Sequence, residues 1–571
     1  MAGLLLLAAL CATAGTTSAT PRLPLAASTP LDWWQTALVY QLYPLSFKDS
    51  DGDGYGDLRG VLEKLDYIKE LGATAIWFNP INKTPMKNFG YDVSNYTAID
   101  PIFGTFEDFK ILLKRMKELD LKFIMDYVGD HSSIEIEWFN KSESGIEPYT
   151  DYFIWHPGHY DNETGIRYIP NNWPPLYGNQ SWFWSEKRQM YSWRTTIESV
   201  PALNWRSERL KAEMMDVLRF WLDQGVDGFR VDSASRLVED AQFRNITSTF
   251  DPIHNQPETY ELVAEYRAFL DQYKTKDNHT RVLILETMGH LKDIVKFYGT
   301  KEKPGGHFPF NWLLKQNAGH NANASVLNWI VNTEMEAVPE GMWYNWLSGN
   351  HDSPRIASRA PGRVDAMNMM VLLLPGTAVS YMGEEIGMTN NPDMNYSNGL
   401  DAAGCLAGPE GYRAKSQDPE RSPLQWDNST NAGFSTAAKT WMPVNKNYVM
   451  VNIAAQERAE NSHLKVYRRL ARLRRTKTIQ RGAVDNQVVS DYVFAFTREL
   501  QGEDTYIAVM NVGHEQQTVN LTAVYPHLPG TARVIVAGVS SGYYIGDEVT
   551  LEVLPLKSNS SLVLTTGEVR E

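Results

Sequence analysis

The chain has 571 residues, enough for two or three domains with sizeable cores, and its 43% hydrophobic and 12% aromatic content is that of a globular protein. Its formal charge of −14, from 54 basic against 68 acidic residues, speaks against nucleic acid or an anionic membrane surface as partner. A neutral small-molecule ligand suits it better.

The chain opens on Met1-Ala-Gly-Leu-Leu-Leu-Leu-Ala-Ala-Leu, an apolar run followed by small residues suited to cleavage, although no Lys or Arg precedes it. The run is too short to span a bilayer, so residues 1–20 are expected to be a secretory signal peptide and the protein to be secreted, with no membrane anchor. Sequons at Asn95, Asn140, Asn179, Asn245 and Asn323 agree with the secretory pathway and with N-linked glycans. Cys11 would leave with the signal, and Cys405 would then have no partner for a disulfide.

Thr36 to Phe47 contains an alternating apolar run, a first strand, and feeds into Asp49-Ser-Asp51-Gly-Asp53-Gly-Tyr55-Gly-Asp57. Carboxylates at every second position, with glycines allowing tight turns, can wrap oxygen ligands around one hard cation, so Ca²⁺ is expected here. A helix is expected from Leu58 to Leu71, a second strand over Ala73 to Pro80, a helix from Thr105 to Leu119 and a third strand from Leu121 to Val128. Repetition of this kind marks parallel β/α units. Residues 132–201 lose all periodicity and are rich in Trp, Pro and Gly, which reads as a domain inserted after the third strand. Helical spacing returns over Arg206 to Gln224 and leads into a strand ending at Asp232. Further β/α units follow, with a long excursion over residues 390–447 and a last helix over Val451 to Thr476. Past about residue 486 short alternating runs suggest an antiparallel β-sandwich. The expected architecture is therefore α/β: a (β/α)8 barrel over 21–131 and 202–485, the insertion at 132–201 and a sandwich at 486–571.

Three carboxylates end apolar runs in this frame. Gly225-Val-Asp-Gly-Phe-Arg-Val-Asp232 puts Arg230 and Asp232 on one face of a strand, since side chains two apart project together. That is either a nucleophile kept ionised by a guanidinium or a structural ion pair. Glu286 closes Arg281-Val-Leu-Ile-Leu, and Asp352 follows His351. Acids at the C-terminal ends of barrel strands converge at one mouth, which favours the catalytic reading.

The blocks GFRVD, ILET and GNHDSPR resemble the signatures of the α-amylase superfamily of glycoside hydrolases, and DSDGDGYGDLRG, FGYDVSNY, DAAGCLAGPEGY, RSPLQWDNSTNAGFS and TWMPVN are similar to those of the insect maltases, secreted α-glucosidases. The resemblance runs from Trp33 to the last strands. It implies Asp232 as nucleophile, Glu286 as acid/base and Asp352 as the acid that stabilises the transition state, with His351 beside it. Electrostatics suggest the same order, because Arg230 adjoins Asp232 whereas Glu286 has no basic neighbour in sequence. The resemblance further implies that Asp92 and Arg421 grip the terminal glucose, that Tyr91 stacks on it and that His131 hydrogen-bonds it; a turn-capping role is the competing reading for Asp92. Asp49, Asp51, Asp53, the Tyr55 carbonyl and Asp57 would hold Ca²⁺ or Mg²⁺. Three positions depart from the family pattern: Asp130 where Asn is usual, Ala202 where Asp is usual, and Arg236 where His or an aromatic is usual. Seventeen tryptophans and 28 tyrosines fit a sugar-binding enzyme, whose aromatic faces stack on pyranose rings. The implied substrate is a small α-glucoside such as maltose or sucrose. Two rivals are a sucrase-like or transglycosylating specialist and a non-catalytic relative of the transporter heavy chains.

Overall fold

The computed structural model describes residues 30–567, so the signal-like segment, Cys11 within it and the last four residues lie outside the described residues. Eight parallel strands form one sheet: β1 (Leu38–Leu42), β2 (Ala75–Phe78), β3 (Lys122–Val128), β4 (Gly228–Asp232), β5 (Val282–Leu285), β6 (Phe308–Pro309), β7 (Asn345–Trp346) and β8 (Thr377–Tyr381). Their order, β6-β5-β4-β3-β2-β1-β8-β7, is that of a TIM barrel opened along one seam. At that seam the Asn345 side chain joins β6 and β7: its Nδ2 donates to the Pro309 carbonyl at 2.8 Å, and its Oδ1 accepts the Asn311 N–H at 2.9 Å. Strands β1, β2, β4, β5 and β8 are buried along their whole length, as helix-covered parallel strands are, which explains their unbroken apolar runs.

Local signals set the helices. Phe106–Glu118 starts on a capping box between Thr105 and Asp108. Glu208–Gln224 starts on the Ser207 cap and stops at Gly225, whose φ of 102° favours glycine. That stop delivers the chain into β4 in fixed register. Two expected helices are broken: the first divides at Lys64 into Leu58–Glu63 and Leu65–Glu70, and the last divides into Ile453–Arg458 and His463–Leu473. In the second case Ser462 supplies a new N-cap and starts a separate helix. Strand β6, only two residues long, is too short for its alternation to be read from sequence.

The segment after β3 carries a short helix, Glu137–Glu143, and a three-stranded antiparallel sheet of Trp155–His156, Met190–Trp193 and Trp182–Ser185. Trp173, Trp182 and Trp193 pack there with Ile253 and with Ala202, so the departure at 202 lies in a small apolar core. The C-terminal sheet has six antiparallel strands, faced by a two-stranded ladder. Its alternation is visible in the packing: Phe494 and Phe496 join the barrel core, Val493 and Ala495 the separate C-terminal core. Among the described residues no helix is long and apolar enough to cross a membrane, and Cys405 is a free thiol.

Candidate active site

Strand register brings the first two acids together. Arg230 on β4 pairs with Asp126 on β3, and Val231 with Leu285 on β5, so Glu286, one residue beyond β5, stands level with Asp232. Arg230 Nη1 then meets Asp126 Oδ1 at 2.6 Å and Asp232 Oδ1 at 2.7 Å, while Nη2 meets Glu286 Oε2 at 2.8 Å. Glu286 Oε2 also accepts the Ser233 N–H at 3.0 Å. Each of the two acids thus has one oxygen held and one left for chemistry.

This corrects the electrostatic reading of the sequence, in which Arg230 favours Asp232 alone. The neighbouring strand brings Glu286 to the other arm of the same guanidinium, a relation that spacing along β4 does not reveal. Burial pushes the Asp232 carboxyl well up, with Glu286, Asp130 and Asp126 adding to it and Arg230 opposing. Burial likewise pushes Asp126 up to about 6 despite Arg230. Two of the three carboxyls around this one cation, Asp126 and Asp232, are therefore harder to ionise than a free carboxyl, and their titration belongs to the cluster. Arg230 itself is 1% exposed and stands behind the acids, outside the cavity lining, so it positions carboxylates and does not touch a sugar.

The third acid arrives differently. Asp352 lies in a turn six residues past β7, not at a strand end, and β6 intervenes, so the three strands concerned are not successive. Arg421 Nη2 meets its Oδ1 at 2.6 Å, and Arg421 Nε donates to the His351 carbonyl at 2.9 Å. Burial opposes ionisation of Asp352, but His351, Arg421 and Arg230 outweigh it and hold the carboxyl at about 2. His351 is fixed by two bonds: Gln41 Nε2 donates to its Nδ1, and its Nε2 then donates to the Tyr91 hydroxyl, both at 2.8 Å. That hydroxyl donates to Asp126 Oδ2 at 2.9 Å and accepts from Asn79 at 2.7 Å. Burial pushes the His351 ring down to about 3, so it is neutral. Tyr91 and His351 are parallel, with centroids 5.5 Å apart.

Asp232, Glu286, Asp352, Tyr91, His131, His351 and Arg421 all line one cavity of about 520 Å³. Asp92 does not. Its fully buried carboxylate accepts from Thr84 Oγ1 at 2.8 Å, the Lys87 N–H at 2.9 Å and the Asn88 N–H at 3.0 Å. It is the turn cap of the competing reading, and Arg421 is paired with Asp352 in its place. Sequence reasoning missed Asn88, Tyr177, Lys315, Asn350 and Gln417, which also line the cavity. Gln417 had a signal, standing four residues before Arg421, whose Nη2 donates to Gln417 Oε1 at 2.6 Å.

His131 lines the cavity, but its Nε2 is committed to the Tyr91 carbonyl at 2.8 Å and its Nδ1 faces Asp130 Oδ1 at 2.7 Å. Arg236 is buried in the lining; its Nη2 donates to the Thr195 carbonyl at 3.2 Å. Asp240, four residues beyond Arg236, pairs with Arg244 at 2.6 Å and not with Arg236.

In the Asp/Gly loop, Asp49, Asp51 and Asp57 bring carboxylate oxygens within 4.8 Å of one another. An all-oxygen donor set of this kind fits a hard cation. Asp53 stands outside that group, its Oδ1 accepting the Tyr55 N–H at 2.8 Å, and the Tyr55 side chain is exposed.

The alpha amylase catalytic-domain model matches residues 41–482. Maltase 1 of Drosophila virilis is 40% identical over 552 residues, covering 94% of this chain and 87% of its own. A salivary alpha-glucosidase of Anopheles gambiae is 38% identical over 565 residues, covering 95% and 94%. Among solved structures, the isomaltulose synthase of Erwinia rhapontici NX5 superposes with a TM-score of 0.83 at 28% identity, covering 94% of this chain and all of that one.

Proposed function

This chain belongs to the α-amylase family of glycoside hydrolases, and from that premise we propose that it is a secreted, retaining exo-α-glucosidase acting on terminal glucosyl units of maltose, sucrose or related oligosaccharides. The observation that carries the reading is the single guanidinium of Arg230 holding Asp232 and Glu286 side by side in the cavity wall. Retention needs two carboxyls about 5 to 5.5 Å apart, one ionised for attack and one protonated for departure. Asp232 Oδ2, the oxygen not held by Arg230, attacks the anomeric carbon. Glu286 Oε1, the oxygen that neither Arg230 nor the Ser233 N–H holds, is placed to act as the acid/base, giving a proton to the leaving oxygen and taking one back from water. Asp352, kept ionised by its neighbours, stabilises the positive charge that develops on the sugar.

Attack on chain ends is part of this proposal, with Arg421, 5.6 Å from the Phe89 ring and paired with Asp352, as the residue that would bound the terminal glucose. Secretion, N-linked glycans and a structural Ca²⁺ or Mg²⁺ held by Asp49, Asp51 and Asp57 belong to the same proposal. The salivary relatives and the oxygen cluster support them. A hard cation there would brace the loop after β1.

A second reading, transfer of the glucosyl unit to another sugar, is favoured by the isomaltulose and trehalulose synthases among similar structures. One experiment separates the two: secreted protein is given maltose, isomaltose, sucrose, trehalose and starch, and products are followed by NMR. Released α-glucose supports the hydrolase, new disaccharides from sucrose support transfer, and no product from any substrate refutes both. The role order has its own test. Azide should rescue Glu286→Ala on an aryl α-glucoside and give the α-glucosyl azide, whereas the β-azide would exchange the two roles.

A further inference from the structure

Asp130 and His131 hold an arrangement that hydrolysis does not require. The Tyr91 carbonyl can only accept, so His131 donates to it from Nε2, and this fixes the ring with Nδ1 facing Asp130. Nδ1 and Asp130 Oδ1 are 2.7 Å apart but do not align as a hydrogen bond, and each is buried without a hydrogen-bond partner. An asparagine at 130, which the family resemblance leads one to expect, has an N–H to donate; a carboxylate offers only acceptor oxygens. Among the described residues no arginine or lysine lies within ion-pair distance of Asp130. A cation at the apex between Nδ1 and Oδ1 would be held by both atoms. In such a chelate the donors flank each other and do not point at each other.

A third donor is at hand. One carboxylate oxygen of Asp232 lies within 4.8 Å of a ring nitrogen of His131 and of a carboxylate oxygen of Asp130, and all three residues line the cavity. The surroundings suit added positive charge, since Asp126, Asp232 and Glu286 share the one guanidinium of Arg230 and Asp130 lies beside Asp232. One imidazole nitrogen with two carboxylate oxygens is a borderline donor set that favours Zn²⁺ or a similar transition metal over Ca²⁺ or Mg²⁺. We propose that Asp130, His131 and Asp232 form a binding site for a divalent transition-metal ion, which excludes substrate by occupying the carboxylate that would attack the sugar.

The site rests on geometry; only its inhibitory consequence rests on the hydrolase reading. The test is calorimetric titration of Zn²⁺ into the full secreted protein, with Ca²⁺ in excess to fill the Asp49–Asp57 loop, for the natural chain and Asp130→Asn. We expect one Zn²⁺ per chain, an affinity at least about tenfold weaker in the variant, and competitive inhibition with a constant that tracks the binding constant. Equal affinity in a folded variant, or no binding by the natural chain at about millimolar Zn²⁺, overturns the site. X-ray absorption of the Zn²⁺-loaded natural protein gives an answer even if the variant fails to fold: a single imidazole among oxygens supports the site, and an all-oxygen shell refutes it. Zn²⁺ that binds through Asp130 in a chain without hydrolytic activity would keep the site and discard the proposed function.

Discussion

Arg421 holds both ends of the dipeptide that carries the third acid, donating from Nη2 to Asp352 Oδ1 at 2.6 Å and from Nε to the His351 carbonyl at 2.9 Å. A lysine is a point donor and cannot make both contacts. Arg421→Lys should therefore lower kcat/KM on an aryl α-glucoside by roughly 30- to 100-fold, the loss of about 2–3 kcal/mol expected for a charged hydrogen bond. Because Arg421 helps keep Asp352 at about 2, the loss should deepen as pH falls from 6 to 4. Steady-state kinetics over that range checks both points, and a pH-independent loss below about threefold would remove Arg421 from the site.

Asp92 and Asn88 should respond in opposite ways. Asp92→Ala strands the Thr84 hydroxyl and two backbone N–H groups, so it should destabilise the fold by about 2–3 kcal/mol. Asn88→Ala should leave thermal unfolding nearly unchanged and raise KM several-fold, since Asn88 faces the cavity. Differential scanning calorimetry with KM measured well below either transition decides the matter. An Asp92 variant with normal stability and a raised KM would restore the sugar contact that the structure denies.

Repeated strand and helix spacing made the barrel legible, and the acids were legible because β/α repeats send strand ends to one mouth. What stayed hidden were relations between strands. The register Val231↔Leu285 makes Arg230 a partner of Glu286, and no spacing along either strand contains that information. The same limit applies to Asp92: its sequence block resembles a sugar-binding one, but whether its side chain turns in or out depends on Thr84, eight residues earlier. Strands β6 and β7, two residues each, fall below the length at which alternation is a signal. Helix breaks at Lys64 and Ser462 depend on packing and capping that an amphipathic count averages away.

The Asp/Gly loop should make stability depend on calcium. Binding to the folded chain alone stabilises it by about 2.7 kcal/mol at a free ion concentration 100 times Kd. Removing the ion with EDTA should lower Tm, and added Ca²⁺ should restore it. Asp51 is the residue to change, because it is exposed and its Oδ1 accepts only the Asp53 N–H, whereas Asp49 and Asp57 also cap backbone turns. Asp51→Asn should fold with a Tm that no longer responds to Ca²⁺. A response equal to that of the natural chain would place the ion elsewhere.

His351 should leave a mark on acid stability. Its ring, pushed to about 3 by burial, refuses a proton that the unfolded chain takes up near 6.5. The unfolded state therefore binds more protons between those values, and the contribution of His351 is lost as pH falls through that window, by at most about 4–5 kcal/mol. Asp352, held at about 2, adds a loss of the same sign below about 4. Asp126, pushed up to about 6, works in the opposite direction, because the folded chain protonates first there and gains stability as pH falls. The readout is thus the difference between the natural chain and His351→Gln, which cannot titrate at that position but keeps the other groups. Tm measured from pH 7 to 4 should fall more steeply in the natural chain, and parallel curves would mean that His351 carries its proton in the folded state.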